Sequence, residues 1–445
     1  MQAEITILIY FIFIVGIGVY SAFRIKTTDD YFVAGKKAGL IPVSGSLLAT
    51  ILGGSAILGT IELSQKLGWP GLWFLFSAAL GLFVLIPISK YVRRYGNYTL
   101  PELLGTFYGK KAETISSVII PIAWIGIVAA QIIAAAKILN GLGFISYQNA
   151  AIVSGLVFII YTLLGGQHSI LKTDTLQAVL IIGGLVFLFV FASMNPMEHT
   201  FETFQFSLLF NTKFSLIDLL ILILTYSVTF VVGPDIYSRV FCAKNEKTAS
   251  RSILLVALIL IPTSFVLTYL GIYANETGAG IVAFAEHLLP GWAYGLFIAA
   301  LLSAVMSSAD TTLLTSSIIV SELITGNLNK SNSLKLTRYF ILFTGAASLL
   351  IALFVTSIIQ ALLLALTFFS GAFVVPTLAG LLKIKVNKKR VANAILIGGT
   401  TALAGKIIQT AGSELVGNTI IISSYILNAA ILWNYKKPNT NSDKL

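Results

Sequence analysis

The chain has 445 residues, 57% of them hydrophobic and 11% charged, with a formal net charge of +11. A soluble domain carries about 25% charged residues, so this composition excludes a soluble globular protein and points to a multi-spanning membrane protein. The single cysteine, Cys242, excludes an intrachain disulfide framework and a Cys-rich metal site, and His168, His199 and His287 show no ligand spacing.

Apolar runs long enough to cross a bilayer fall near 5–23, 39–65, 71–91, 114–140, 147–165, 172–193, 215–241, 249–274, 291–324, 336–354, 356–382, 390–411 and 418–435. They predict an all-α integral membrane protein of about thirteen spans in one transmembrane unit, 1–435, followed by a tail, 436–445. The first run has Glu4 where a signal peptide has basic residues, and no small-residue cleavage site follows, so it reads as a retained span. The loop after it, "RIKTTDDYFVAGKKAG", suits anionic lipid headgroups.

The second span contains "SLLATILGGSAILGT", with Gly53 and Gly54 adjacent between Thr50 and Ser55. A helix broken at membrane depth survives only where its freed backbone lines a cavity or a protein interior, and unwound carbonyls there can coordinate a cation. Close helix packing through small residues is the commoner use of such a pattern. Gln131, in "AAQIIAAAKIL" on the fourth span, is a mid-membrane amide that needs an interhelical partner.

Asp174 lies in "LKTDTLQAVL" near the inner end of the sixth span, where a helix N-cap and an ion ligand are equally good readings. The acidic, aromatic loop 194–214 follows on the outer side. Gly233-Pro234 interrupts the seventh span, "TYSVTFVVGPDIYSRVF". Asp235 and Arg239, four residues apart, are placed to pair with each other, and Tyr226, deeper in the span, to line a cavity.

The ninth span carries "LLSAVMSSADTTLLTSSII", in which Ala304, Ser307, Ser308, Thr311 and Thr315 share one helix face with Asp310 at its edge. At 1.5 Å per residue, Ser307 lies roughly 22 Å and Asp310 roughly 27 Å inward of Trp292. Back-bonding to the preceding turn is the plain role for such hydroxyls. A carboxylate this deep favours a functional role, and hydroxyls with carbonyls form a hard-oxygen cage for a small cation.

Placed alternately on two sides, the connections put 25 of the 29 basic residues on one face, which predicts the N-terminus outside and the C-terminus inside. The broken second and seventh spans are five helices apart, so spans 2–6 (39–193) and 7–11 (215–382) are candidate repeats of opposite orientation.

Five segments together resemble the sodium:solute symporter family: "DYFVAGKKAG" (30–39), "ATILGGSAILG" (49–59), "YTLLGGQHSILKTDTLQ" (161–177), "GPDIYSRVFCAKNEKTA" (233–249) and "LLSAVMSSADTTLLTSS" (301–317). The resemblance implies a LeuT-like 5+5 inverted-repeat core in spans 2–11. It also implies a principal Na⁺ site made by the carbonyls of Ala49, Leu52 and Ala304 and the hydroxyls of Ser307 and Ser308. A second Na⁺ site would use Asp174, Ser307, Asp310 and Thr311, with an acid at 310 where a hydroxyl is usual. The expected solute cavity is lined by Ile51, Gly53, Ser55, Ala56, Gln131, Tyr226 and Pro234. Its poor polarity fits a small organic solute such as an amino acid or monocarboxylate.

The resulting expectation is a plasma-membrane secondary transporter, with Na⁺ as coupling ion, a small-molecule substrate, the lipid bilayer as surroundings, and no nucleic-acid or obligate protein partner. Proton coupling through Asp174 and Asp310 on the same fold, or a solute-sensing role, are the alternatives. An enzyme is not expected, because no nucleophile–base pair, metal spacing or cofactor loop occurs.

Overall fold

Backbone polar groups inside a bilayer must be satisfied within the protein, which favours helices, and each predicted apolar run is helical. The computed structural model describes residues 2–22, 27–143, 145–195, 204–276, 280–328, 330 and 332–433. The predicted tail 436–445, Arg24, Lys26 and residues 196–203 of the acidic loop lie outside these.

Helix α1 (Gln2–Ala22) is followed by a short α2 (Thr28–Val33), which Thr27 caps by accepting from the Asp30 N–H. The second span is two helices, α3 (Leu40–Ile51) and α4 (Gly54–Leu67), bent by 46° at Leu52–Gly53. Then come α5 (Leu72–Tyr95), the short α6 (Leu100–Tyr108), α7 (Lys110–Gly141), α8 (Tyr147–Leu164) and α9 (Gln167–Met194).

The seventh span is also interrupted. It comprises α10 (Leu216–Leu222), a π-helical turn (Ile223–Ser227), α11 (Val228–Val232), an extended Gly233 with ψ 128°, and α12 (Pro234–Cys242). Proline stands at the first position of α12, where its missing N–H costs nothing. The chain continues through α13 (Glu246–Glu276), α14 (Ile281–Leu288), α15 (Gly291–Thr325), α16 (Ser333–Phe354), α17 (Ile358–Leu381), α18 (Val391–Thr410) and α19 (Glu414–Trp433).

Among the described residues, eleven helical segments are long and apolar enough to cross a membrane, and the bent pair makes twelve. Helix α1, 21 residues long, packs on α9 and α15 in addition.

The two broken spans meet at one end of the molecule. Ala38, just before α3, exchanges backbone hydrogen bonds with the segment closing α12: its N–H donates to the Cys242 carbonyl at 3.0 Å, and the Lys244 N–H donates to its carbonyl at 2.9 Å. Helix α3 leaves this end and α12 arrives at it, so the two broken spans run in opposite directions, as an inverted arrangement requires.

Helix α15 is the axis of the bundle, packed by α1, α3, α4, α7, α8, α9 and α16. Its hydroxyl-rich stretch faces protein throughout: Ser303, Ser307, Ser308, Asp310, Thr311 and Thr312 are all at most 2% exposed. Contact with α9 is close because Gly184 has no side chain; a Cβ there would lie 2.6 Å from the Ala300 Cβ. Helices α18 and α19 pack on each other and on α17, at the flank of the bundle.

Candidate ion and solute sites

The end of α3 leaves carbonyls without helical partners. Leu48 accepts from the Leu52 N–H at 2.8 Å, and Thr50 accepts from the Ser308 hydroxyl at 2.6 Å. The carbonyls of Ala49 and Leu52 receive no hydrogen bond among the described residues. Ala49, Leu52, Ala304 and Ser307 are fully buried and Ser308 is 2% exposed. The break and the middle of α15 are in direct contact, since a Cβ on Gly53 would lie 2.1 Å from the Ser308 Oγ, and one on Gly54 2.2 Å from a Val305 methyl. Ser308 gives its proton to Thr50 and so keeps its oxygen lone pairs for another partner.

This contact makes Gly53→Ala a sharp test. The added methyl has to displace Ser308, and the expected result is an expressed protein whose half-saturating sodium concentration for uptake rises at least about tenfold, the loss of one good oxygen contact. Unchanged sodium activation would show that the glycine serves packing alone.

Six hydroxyls in the middle of α15 bond in two ways, while those of Thr315 and Ser317 have no partner among the described residues. Ser303, Thr312 and Ser316 bond back to carbonyls of their own helix, Ala299 at 2.7 Å, Ser308 at 2.7 Å and Leu313 at 3.0 Å. Ser307, Ser308 and Thr311 bond across to other helices instead. Back-bonding, the plain role read from the sequence, therefore occurs on the same helix as hydroxyls that reach across to its neighbours.

Beside this junction is a charged knot. Asp174 accepts from Ser307 at 2.6 Å, from Arg239 Nη2 at 3.2 Å and from Ser46. The Arg239 guanidinium also donates to Ser46 at 3.0 Å, Ser238 at 2.9 Å and Thr311. Both charged side chains are fully buried. This corrects two readings. Asp174 is not an N-cap, because α9 starts at Gln167, about two turns earlier. Arg239 pairs with Asp174 and not with Asp235, because the buried face of α12 turns the guanidinium towards α3, α9 and α15.

Asp310 is 1% exposed. Thr311 donates to its Oδ1 at 3.4 Å, while its Oδ2 has no hydrogen-bond partner among the described residues. The residues named for a second ion are thus neighbours, with a guanidinium among them.

On the other side of the break a cavity of about 60 Å³ is lined by Thr50, Ile51, Ser55, Ala56, Trp124, Ile127, Gln131, Tyr226, Thr229, Phe230, Asp235, Ile236, Ser308, Thr312, Leu362 and Leu366. That is room for a few water molecules. Five of the seven expected solute residues, Ile51, Ser55, Ala56, Gln131 and Tyr226, are in its wall; Gly53 and Pro234 are at the two helix breaks and do not line it. Gln131 finds its partner in Ser55, donating to the hydroxyl at 2.7 Å and accepting from the backbone N–H at 3.3 Å. Tyr226, on the π-helical turn, stacks on Phe74 at 4.3 Å and 13°. The sequence reading missed Asp235, Trp124 and Arg239 as site residues; the Arg239 partners come from helices up to 193 positions away, so no local signal reveals them.

The comparisons with known proteins agree with this architecture. The chain is 25% identical to the sodium/pantothenate symporter of Escherichia coli, over 96% of this chain and 95% of that one. It is 25% identical to the sodium/proline symporter of Haemophilus influenzae, over 92% and 89%. A solved Na⁺-coupled sialic acid symporter, in a substrate-bound outward-open state, superposes with a TM-score of 0.78 at 20% identity, covering 98% of this chain and 99% of that one. The all-helical architecture with its broken spans is the LeuT-like fold. The model of the sodium:solute symporter family matches residues 31–398, from the basic loop before the first break to α18, and the chain belongs to that family.

Proposed function

We propose that this plasma-membrane protein couples the entry of one sodium ion to that of one small, largely apolar organic solute by alternating access. The observation that supports the reading is the junction of α3–α4 with α15, where the buried Ser308 hydroxyl bonds to the last turn of α3 and the carbonyls of Ala49 and Leu52 receive no hydrogen bond among the described residues. Together with Ala304 and Ser307 these supply five oxygens, a neutral cage that replaces an ion's hydration shell and still releases the ion. Sodium there ties the broken span to α15 and so to the solute cavity, whose wall includes Thr50 and Ser308.

A single ion follows from Arg239. The oxygens of Asp174 and Thr311 already hold a guanidinium, so a second sodium ion would have to displace it. One charge crossing 100 mV is worth about 2.3 kcal/mol, which concentrates solute roughly 40-fold; two ions would square that factor.

Purified protein in liposomes tests the reading. An inward sodium gradient should drive solute uptake with one sodium ion taken up per solute. Asp310, with its unpartnered Oδ2, keeps proton coupling as the specific rival. Uptake driven by a pH gradient without sodium would establish that rival, and ligand binding without flux would establish a sensor.

A further inference from the structure

Asp235 is the one formally charged side chain among the described residues of the cavity wall. Its expected partner, Arg239, is turned away and committed to Asp174, Ser46, Ser238 and Thr311. Asp235 occupies the first turn of α12, directly after the break at Gly233, and its Oδ1 lies 2.9 Å from where a Gly233 Cβ would be. Three aromatic residues, Trp124, Tyr226 and Phe230, line the same cavity. Their rings are fixed from behind or by one another: Trp124 meets Phe369 edge-on at 4.8 Å, Tyr226 stacks on Phe74, and Phe230 stands edge-on to Tyr226 at 5.0 Å.

A half-buried carboxylate on the wall of a cavity with a large apolar lining gains from a positive charge that offsets its desolvation. Ring faces of Trp, Tyr and Phe attract organic cations and shed water from them. The remaining polar groups of the wall, Thr50, Ser55, Gln131, Thr229, Ser308 and Thr312, are neutral and can orient a solute but cannot balance Asp235.

We infer that the transported solute carries an ammonium group, which Asp235 binds between the rings of Trp124, Tyr226 and Phe230. This deepens the proposed function and rests on its solute cavity. It selects an amine-bearing solute, such as an amino acid or a quaternary amine, over a monocarboxylate or a sugar, because neither of the latter offers a cation. An anionic solute would place like charges together in a low-dielectric site.

The test uses the full chain in liposomes under a sodium gradient, with choline, L-alanine, propionate and D-glucose as probes. Uptake of choline or L-alanine, and not of propionate or glucose, is expected. Asp235→Asn should raise the half-saturating concentration of the accepted probe about 10- to 100-fold, the loss of a charged contact, and leave the half-saturating sodium concentration unchanged. Asp235→Glu should restore part of the affinity. Transport of propionate or glucose alone, or an Asp235→Asn variant with unaltered solute affinity, overturns the inference. So does a variant in which only sodium activation shifts, which would make Asp235 an ion ligand. Sodium-dependent thermal stabilisation with no uptake of either ammonium probe overturns the solute assignment alone. Absence of any sodium effect would instead remove the coupled-transport reading beneath it.

Discussion

Ser308→Ala is expected to abolish sodium-stimulated uptake at low millimolar sodium while leaving a folded, membrane-inserted protein. The hydroxyl donates directly to a backbone carbonyl at the end of α3, that of Thr50, at 2.6 Å. Removing it takes away the proposed ion ligand and its bond to the Thr50 carbonyl. Loss of such a buried polar contact is worth about 1–3 kcal/mol, or roughly 10- to 100-fold in the half-saturating sodium concentration. Ser316→Ala is the matched control. Its hydroxyl is as buried but bonds back to Leu313 in its own helix, so sodium activation should barely change. Equal behaviour of the two variants would sink the ion site, because one hydroxyl faces the junction and the other does not.

Breaking the Arg239–Asp174 pair should have the second large effect, this time on stability. Removing one partner of a buried ion pair costs about 3–5 kcal/mol, because the survivor stays buried without compensation. Arg239→Gln and Asp174→Asn should each lower the thermal midpoint in detergent, and the double variant should be less unstable than the two losses added together. Sodium separates this pair from an ordinary structural one. In Arg239→Gln the Asp174 carboxylate, still held by Ser46 and Ser307, is free to take a cation. An ion at 100 times its Kd returns about 2.7 kcal/mol, so the instability of this variant should shrink as sodium rises and its uptake should gain a second order in sodium. If the midpoint of Arg239→Gln responds to sodium no more than the unaltered protein does, Arg239 is a brace between α12, α9, α3 and α15 and does not stand in for an ion.

The elements that frame the proposed ion site are legible in the sequence. Adjacent glycines at 53 and 54 and the Gly233-Pro234 pair interrupt apolar runs, and both interruptions are helix breaks in the fold. The three-and-four spacing of hydroxyls from Ala304 to Thr315 marked one helix face, and that face is buried. Gln131 was an amide in search of a partner and has Ser55. The partners of charged groups were not legible. At a spacing of four, Asp235 and Arg239 look like a helical pair, and nothing local to α12 shows that Arg239 is drawn to Asp174, 65 positions away. Nor does the sequence announce the π-helical turn that carries Tyr226, since its residues are ordinary for an α-helix.

By itself, then, the chain determined an all-helical membrane protein, the places where its helices break and the polar face of α15. These are properties of composition and of local backbone preference: apolar length forces helix in lipid, and glycine and proline set where it fails. Tertiary structure alone decided which carboxylate keeps a cation and which is left facing the cavity. That choice depends on which helices surround Arg239, and a buried guanidinium goes where the most acceptors converge.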